Sequence, residues 1–195
     1  MTAGVHQLLT EVRACTLCAA HLPLGPRPVL QWHPSARLLI AAQAPGRRVH
    51  DTGVPFDDAS GDRLRRWLGL SDPTFYDPAQ VAILPMGFCY PGAARSGDAP
   101  PRPECAPRWR QALLGGLTKL RLTLVIGRYA LAWHLPGETR LTDAVRQQAI
   151  GIDSTLVLPH PSPTNNRWLA RHPWFEADLV PVLQQRVRAA LAHVT

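Results

Sequence analysis

The stretch Arg37-Leu38-Leu39-Ile40-Ala41-Ala42-Gln43-Ala44-Pro45-Gly46 decides the fold prediction, because it joins a short apolar run to a turn. The run from Arg37 to Ala42 is too short for a helix and is typical of a buried strand. Pro45 and Gly46 then end the strand and begin a loop. Comparable strands are predicted at Val81 to Met86, Leu122 to Ile126, and Thr155 to Leu158.

Helical patterns lie between and around these four runs. Strands that alternate with helices predict an α/β fold, here a three-layer α/β/α sandwich around a short, mostly parallel four-stranded sheet. We expect residues 1–195 to form a single domain. The predicted helices are Gly61 to Leu70 with Ser60 as N-cap, Arg108 to Leu120, Tyr129 to Leu135, and a last helix from Asp178 as N-cap to His193.

Each predicted strand is followed by residues that suit a binding site. Sheets of this kind bind ligands just beyond the carboxyl ends of their strands, so the four loops are expected to meet at one edge. The fold thereby gathers residues that are far apart in sequence. The loops are Gln43 to Gly46, Gly87 to Cys89, Gly127 to Tyr129, and His160 to Pro163.

The composition is that of a globular protein, with 46% apolar and 18% charged residues. A net charge of +7 is compatible with a nucleic-acid partner, but the excess is spread along the chain and names no substrate. No apolar run approaches the ~20 residues of a membrane span, and residues 1–7 lack the features of a secretion signal. We therefore expect a cytoplasmic protein without a membrane partner.

The cysteines of this chain are Cys15, Cys18, Cys89 and Cys105. The first two form a C-x2-C pair, and two loops that supply two thiolates each can build one metal site, either a [4Fe–4S] cluster or zinc. The second pair is spaced too widely for an ordinary zinc ribbon. Two other interpretations stay open: unrelated small core residues, or a redox pair at the C-x2-C.

Together with the cysteine spacing, several segments resemble the uracil-DNA glycosylase superfamily, and in particular its iron–sulfur class, families 4 and 5. The resemblance covers most of the chain and implies a DNA glycosylase that hydrolyses the N-glycosidic bond of uracil or another deaminated base in DNA. It also favours the iron–sulfur cluster over zinc, and the apolar face of the last helix suggests a monomer. The matching segments are Ala42 to Gly46, Thr52 to Phe56, Ser60 to Leu64, and His160 to Pro163.

The resemblance assigns roles to individual residues. Phe56 matches the aromatic residue that stacks on the flipped base, and His160 matches the donor to the oxyanion that develops on it. Ala44, Pro45 and Gly46 match the segment where the backbone approaches the base closely. The segments after His160 imply contacts with the DNA backbone from Pro161, Ser162, Asn165 and Asn166, and a wedge from Trp168 or Leu169.

Two positions depart from the family pattern. Gln43 stands where the iron–sulfur enzymes carry Glu, so water placement is expected to pass to Gln43 itself or to an acidic or histidine side chain of the following loop. Pro85 stands where an Asn reads the uracil edge, which leaves the main chain of Met86 and Gly87 to read the base. The loop candidates for the water are His50, Asp51, Asp57 and Asp58, of which Asp51 and His50 are favoured.

These departures keep two other functions open. One is a metal-stabilised binder of single-stranded or damaged DNA with little or no catalytic activity. The other is a redox or zinc protein without a DNA role. Loss of the Asn also allows a change of substrate from uracil to hypoxanthine or xanthine. Excision assays on different bases separate these possibilities.

Overall fold

The computed structural model describes residues 3–137, 140–147 and 154–192. Its sheet is short and fully parallel. Its strands are ordered β2-β1-β3-β4, and every neighbouring pair is parallel. Leu38 pairs with Val81 on one side and with Leu122 on the other. The α/β prediction and all four strand positions are confirmed. The strands are β1 Leu38–Ala41, β2 Val81–Ile83, β3 Leu122–Ile126 and β4 Thr155–Leu158.

Helices connect the strands and cover both faces of the sheet. Short 3-10 turns lie at Ala19–His21 and Pro163–Asn165, and a π-helical segment lies at Phe175–Leu179. None of the helices in the described ranges combines the length and the apolar character needed to cross a membrane. The α-helices are α1 Ala3–Arg13, α2 Arg47–Thr52, α3 Ala59–Leu68, α4 Asp72–Phe75, α5 Cys105–Gly115, α6 Gly127–His134, α7 Leu141–Gln147, α8 Asn166–Arg171 and α9 Val180–Leu191.

The core is divided by the sheet into two clusters, because successive side chains of a strand point to opposite faces. Leu38 and Ile40 of β1 pack with residues of α3 and α9 in one cluster. Leu39, between them, packs with residues of α1 and α5 in the other cluster. The predicted α/β/α sandwich is therefore confirmed, with apolar layers on each side of the sheet.

Several predicted helix ends differ from the observed ones. The N-cap of α3 is Asp58 rather than Ser60, because the Asp58 carboxylate accepts the N–H of Gly61 at 2.9 Å. Asp178 is not the N-cap of the last helix, since it lies inside the π-helical segment that continues into α9. Helix α5 begins at Cys105 and ends at Gly115, where a glycine pair weakens the helix. The predicted end at His193 lies outside the described residues.

Candidate functional site

The loops that follow all four strands meet at a cavity of about 560 Å³, here called the edge cavity. It lies at the carboxyl edge of the sheet, where parallel sheets bind their ligands. The predicted convergence is therefore confirmed for the loops after β1, β3 and β4, whereas after β2 the cavity is lined by Pro85 and not by the predicted Gly87 to Cys89. Its lining includes Gln43 to Gly46, Phe56, Pro85, Gly127 to Tyr129, His160, Ser162 and Asn165.

Phe56 forms an aromatic wall of the edge cavity in a strained turn. Its φ of 56° lies in the left-handed region, which a bulky residue rarely adopts. The Phe56 carbonyl accepts hydrogen bonds from Arg65 and Tyr76, and its ring meets the edge of Phe75 at 6.2 Å between centroids. Gly61 is required beside this turn, because a Cβ there would lie 1.7 Å from the Phe56 carbonyl oxygen. The surrounding contacts therefore fix the ring in place.

His160 lies two residues after the end of β4 and is a neutral donor. Its Nδ1 accepts the main-chain N–H of Ser162 at 3.2 Å, so the proton of the neutral ring is on Nε2. Burial lowers the pKa of His160, and the negative charge of Asp58 opposes that shift. The side-chain amide of Asn165 donates to the His160 carbonyl at 3.0 Å and holds the loop. The result is a positioned N–H donor in the lining of the edge cavity.

Arg63, which the sequence did not single out, holds the same loop from α3. Its guanidinium donates to the carbonyls of Pro161 and Ser162 at 3.2 and 3.3 Å. It also donates to the side-chain oxygen of Asn166 at 2.8 Å. Pro161 is buried, and Asn166 is outside the lining of the edge cavity. Of the expected backbone contacts, Ser162 and Asn165 are therefore the two that reach the cavity.

Two carboxylates face each other across Gly46 in the edge cavity. A Cβ on Gly46 would lie 3.2 Å from Oδ2 of Asp98 and 3.8 Å from Oδ2 of Asp58. Both carboxylate oxygens are therefore close to the same side of Gly46. Burial and the nearby charge of Asp58 raise the pKa of Asp98. From the sequence, Asp58 was one of four loop candidates for placing the water, and Asp98 was not predicted. No local motif marks Asp98, which an antiparallel bridge to Ala93 brings over the cavity.

The two residues favoured for water placement do not line the edge cavity. Asp51 is exposed on α2 and forms an ion pair with Arg47 at 3.1 Å. His50 is buried, with its ring 6.1 Å from that of Tyr90 and its Nδ1 without a hydrogen-bond partner. The structure thus gathers Gln43, Asp58 and His160 and leaves Asp51 and His50 outside. The helical turn of α2 explains this, because Val49 of α2 lines the cavity, whereas the next two residues, His50 and Asp51, point to other sides of the helix.

Met86 and Gly87 also lie outside the lining of the edge cavity. Their main-chain N–H groups are already used, since Met86 donates to the Ala42 carbonyl at 2.8 Å and Gly87 to the Gln43 carbonyl at 3.0 Å. These bonds tie the end of β2 to the loop after β1. These N–H groups are therefore not free to read a base, and the expected role of the main chain of Met86 and Gly87 stays a prediction. Pro85 is the residue of this segment that lines the cavity.

Trp168 and Leu169 pack against the core instead of projecting as a wedge. The indole N–H of Trp168 donates to the Thr142 hydroxyl at 2.9 Å, and its ring stacks on His172 at 4.4 Å between centroids. Trp168 is therefore fixed by a hydrogen bond and by ring stacking, and it anchors α8 to the rest of the protein. The wedge assignment is therefore not supported.

Arg128 lies at the edge cavity and has no carboxylate partner among the described residues. Arg128, directly after β3, is exposed and lines the cavity. Its guanidinium lies 4.6 Å from the centroid of the Tyr129 ring and donates to the Tyr129 hydroxyl at 2.6 Å. A guanidinium held in this way keeps donors available for an anion such as a DNA phosphate.

The four cysteines line a second, small cavity together with Leu22, Phe88 and Trp109, here called the cysteine cavity. All four thiols are free and partly buried. The Phe88 N–H donates to Cys105 Sγ at 3.4 Å, and the Trp109 indole N–H donates to Cys15 Sγ at 3.3 Å. Burial raises the pKa of Cys89 to about 11 and that of Cys105 to about 12.

The donor set of the cysteine cavity fits a group bound by thiolates. Protein N–H groups that donate to sulfur are one of the means by which a protein holds and tunes an iron–sulfur cluster. Within the described residues, no three or more His, Cys, Asp or Glu side chains are arranged as a group that holds a metal ion. The fit therefore rests on the shared cavity and on the N–H donors.

The chain matches the family model of the uracil DNA glycosylase superfamily over residues 31–184. The matched range begins before β1 and ends within α9, so it contains the whole sheet. It also contains every loop named above that lines the edge cavity. Members of this superfamily are DNA glycosylases, which are hydrolases that act on DNA. The match covers most of the sequence, and the chain therefore belongs to the uracil DNA glycosylase superfamily.

Proposed function

We propose that this protein hydrolyses the N-glycosidic bond of uracil or another deaminated base that is flipped out of DNA into the edge cavity. The observation that carries the proposal is the joint presence of Phe56, Asp58 and His160 in one cavity. A flipped base needs a stacking surface, hydrogen bonds at its edge and a place for water. These side chains offer all three.

The base is held by stacking and by a hydrogen bond to the group that becomes negative. Phe56 offers its ring face to the base, and the rigid turn keeps that face in position. As the C1′–N bond breaks, the electron pair moves onto the base. The Nε2–H of His160 donates to the oxygen that gains this charge. A preorganised donor of this kind contributes about 3 kcal/mol to the stabilisation of a transition state.

Asp58 places the water in this proposal. Its Oδ1 is fixed by the N–H of Gly61, while Oδ2 faces Gly46. A water between this oxygen and the sugar attacks C1′, and Asp58 accepts the proton that the water loses. The Gln43 amide, in the same lining, assists by holding the water. Arg128 and the loop at Ser162 and Asn165 bind the phosphates on either side.

The test is base excision by the purified full-length chain. Labelled single- and double-stranded oligonucleotides that contain uracil, hypoxanthine or xanthine are incubated with the protein, and abasic sites are cleaved with alkali. Breaks at one base that decrease at least about 100-fold with His160→Ala support the proposal. His6→Ala is the matched control, because His6 is exposed on α1 outside the edge cavity. The absence of breaks on all substrates would overturn the proposal.

A second candidate function is favoured by Pro85. It lines the edge cavity, and proline has neither a main-chain N–H nor a side-chain amide with which to read a base. A binder of damaged or single-stranded DNA needs no such discrimination. DNA binding that weakens with salt, without excision of any base, would identify this function.

We further propose that Cys15, Cys18, Cys89 and Cys105 hold an iron–sulfur cluster of structural role. Their common cavity and the two N–H···S hydrogen bonds support this proposal. Such a group fixes the loops that bear the cysteines and needs no turnover during hydrolysis. Iron, sulfide and zinc analysis of anaerobically purified protein decides between the cluster and a zinc ion. A chain that carries neither metal after reconstitution would contradict a metal site.

A further inference from the structure

Arg110 is a buried cation of α5, the helix that begins at Cys105 of the cysteine cavity. Its side chain is 1% exposed, which places it among the core residues of the protein. Burial lowers the pKa of Arg110 to about 10, so the guanidinium is still charged at neutral pH. Among the described residues, no carboxylate forms an ion pair with it. A charge in this position requires an explanation.

The donors of Arg110 are satisfied by neutral acceptors. Nη1 donates to the carbonyls of Leu84 and Pro85 at 2.9 and 3.2 Å. Nη2 and Nε lie 2.6 and 3.2 Å from Nε2 of His134. Burial and the charge of Arg110 lower the pKa of His134 to about 4, so this ring is neutral and accepts at Nε2. The guanidinium therefore clamps the end of β2, where Pro85 lines the edge cavity.

Neutral acceptors satisfy hydrogen bonds but do not balance a charge. A buried ion without a counter-charge destabilises a fold, and a fold retains such an ion only with compensation. Cys105 lies in the first turn of the same helix, five residues before Arg110, and its charge as a thiolate would raise the pKa of Arg110. Cysteine binds metals as the thiolate, so an occupied cysteine cavity carries negative charge next to Arg110.

We propose that Arg110 is the counter-charge of the metal–thiolate group in the cysteine cavity and, through its clamp on Leu84 and Pro85, positions the wall of the edge cavity. This inference rests on the proposed cysteine site. It makes Arg110 a positioning residue that links the two cavities. Neither role alone explains a buried arginine at this position. A neutral donor would suffice to bind the carbonyls of Leu84 and Pro85, and an exposed cation would suffice to balance the charge of the cysteine cavity.

The experiment measures metal retention in the loaded, full-length protein. Arg110→Gln removes the charge and keeps a donor, whereas Arg110→Lys keeps the charge and loses the planar fork. Lys119→Gln is the control for a change of one charge, since Lys119 is exposed. Release of the metal to a chelator is followed by absorbance. We expect release to be about 10- to 100-fold faster in Arg110→Gln and close to wild type in Arg110→Lys and Lys119→Gln.

A second readout is the reduction potential of the cluster. A nearby cation stabilises the reduced, more negative form, so the potential should fall in Arg110→Gln and stay near the wild-type value in Arg110→Lys. If Arg110→Gln does not fold, Arg110→Lys decides: an unchanged potential supports the inference, and a changed one overturns it. Wild-type release and potential in Arg110→Gln overturn the inference while the cysteine site stands. A wild-type chain without bound metal overturns both proposals.

Discussion

The edge cavity and the cysteine cavity differ in size and in the groups that line them. The first has a volume of about 560 Å³ and collects carboxylates, an imidazole and an exposed guanidinium from loops of every strand. The second has a volume of about 20 Å³ and collects four thiols between apolar side chains. A large space with charged groups in its lining suits a ligand that enters and leaves, whereas a small, mostly apolar one suits a group that stays. Under the proposed functions, the two cavities separate chemistry from structural support within one chain.

The same loop serves both cavities. Cys89 and Cys105 at its two ends line the cysteine cavity, and Ala94 and Asp98 in its middle line the edge cavity. A hairpin within the loop is closed by a hydrogen bond from the Ala94 N–H to the Gly97 carbonyl at 2.8 Å. A group bound by the cysteines would thus anchor the segment that covers the reaction site. Changes in the cysteine cavity should affect stability first, and changes in the edge cavity should affect rate first.

The largest effect is expected from Cys89→Ser, which removes one thiolate of the proposed metal site. Metal binding contributes directly to folding free energy in small metal sites, so we expect loss of the metal and a fall of several kcal/mol in the free energy of unfolding. Metal content and denaturant unfolding of the variant check this. A variant that kept its metal and its stability would remove the distinction between the two cavities.

Asp58→Asn is expected to have the largest effect on the rate. The amide cannot accept the proton of the attacking water, so kcat should fall by roughly 10²- to 10⁴-fold. Asn is also a good N-cap, so the free energy of unfolding should change little. The control is Asp51→Asn on the exposed face of α2, which should leave kcat unchanged. An equal loss in both variants would show that the loop, rather than the Asp58 carboxylate, matters.

Phe56→Leu sharpens the comparison, because it removes an aromatic face without removing an apolar side chain. Stacking of a base on an aromatic ring contributes about 1–3 kcal/mol, so kcat/KM should fall by roughly 5- to 150-fold. Phe56→Tyr retains the ring and should stay within a few-fold of the wild type. Single-turnover excision with both variants measures the effect. A loss in Phe56→Tyr as large as that in Phe56→Leu would argue for backbone strain at this turn as the cause.

The sequence predicted the fold better than the water-placing residues, for physical reasons. Apolar runs such as Leu122 to Ile126 are long enough to define strands, and parallel order then fixes which loops meet. The orientation of side chains within a loop depends on caps and turns that the sequence leaves open. The sequence favours Asp51 over Asp58, but Asp51 is exposed on α2, whereas the N-cap of α3 holds Asp58 at the cavity.

Asp98 and Arg110 were beyond sequence-based prediction for a related reason. Asp98 reaches the edge cavity only through the hairpin of its loop, and nothing in the neighbouring residues marks it. Arg110 looks like a surface residue of an amphipathic helix, because arginine is seldom buried. Both become noticeable only through long-range contacts: with Asp58 and Gly46 for Asp98, and with Leu84 and Pro85 for Arg110.

The smallest expected effect is that of Asp98→Asn. This variant tests whether the charges of Asp58 and Asp98 in the edge cavity lower the free energy of unfolding. Burial and the charge of Asp58 raise the pKa of Asp98, so the folded state favours the protonated form. Stability from that preference is present below the ordinary carboxyl pKa and is lost as pH rises through the raised pKa. At neutral pH the wild type therefore bears unrelieved repulsion, which the neutral amide removes. The variant should be slightly more stable than the wild type at pH 7, and denaturant unfolding should show this gain disappearing as the pH falls through the carboxyl range. A variant that is less stable at pH 7 would mean that the Asp98 carboxylate makes a favourable contact, and the edge cavity would then resemble the cysteine cavity in supporting the fold.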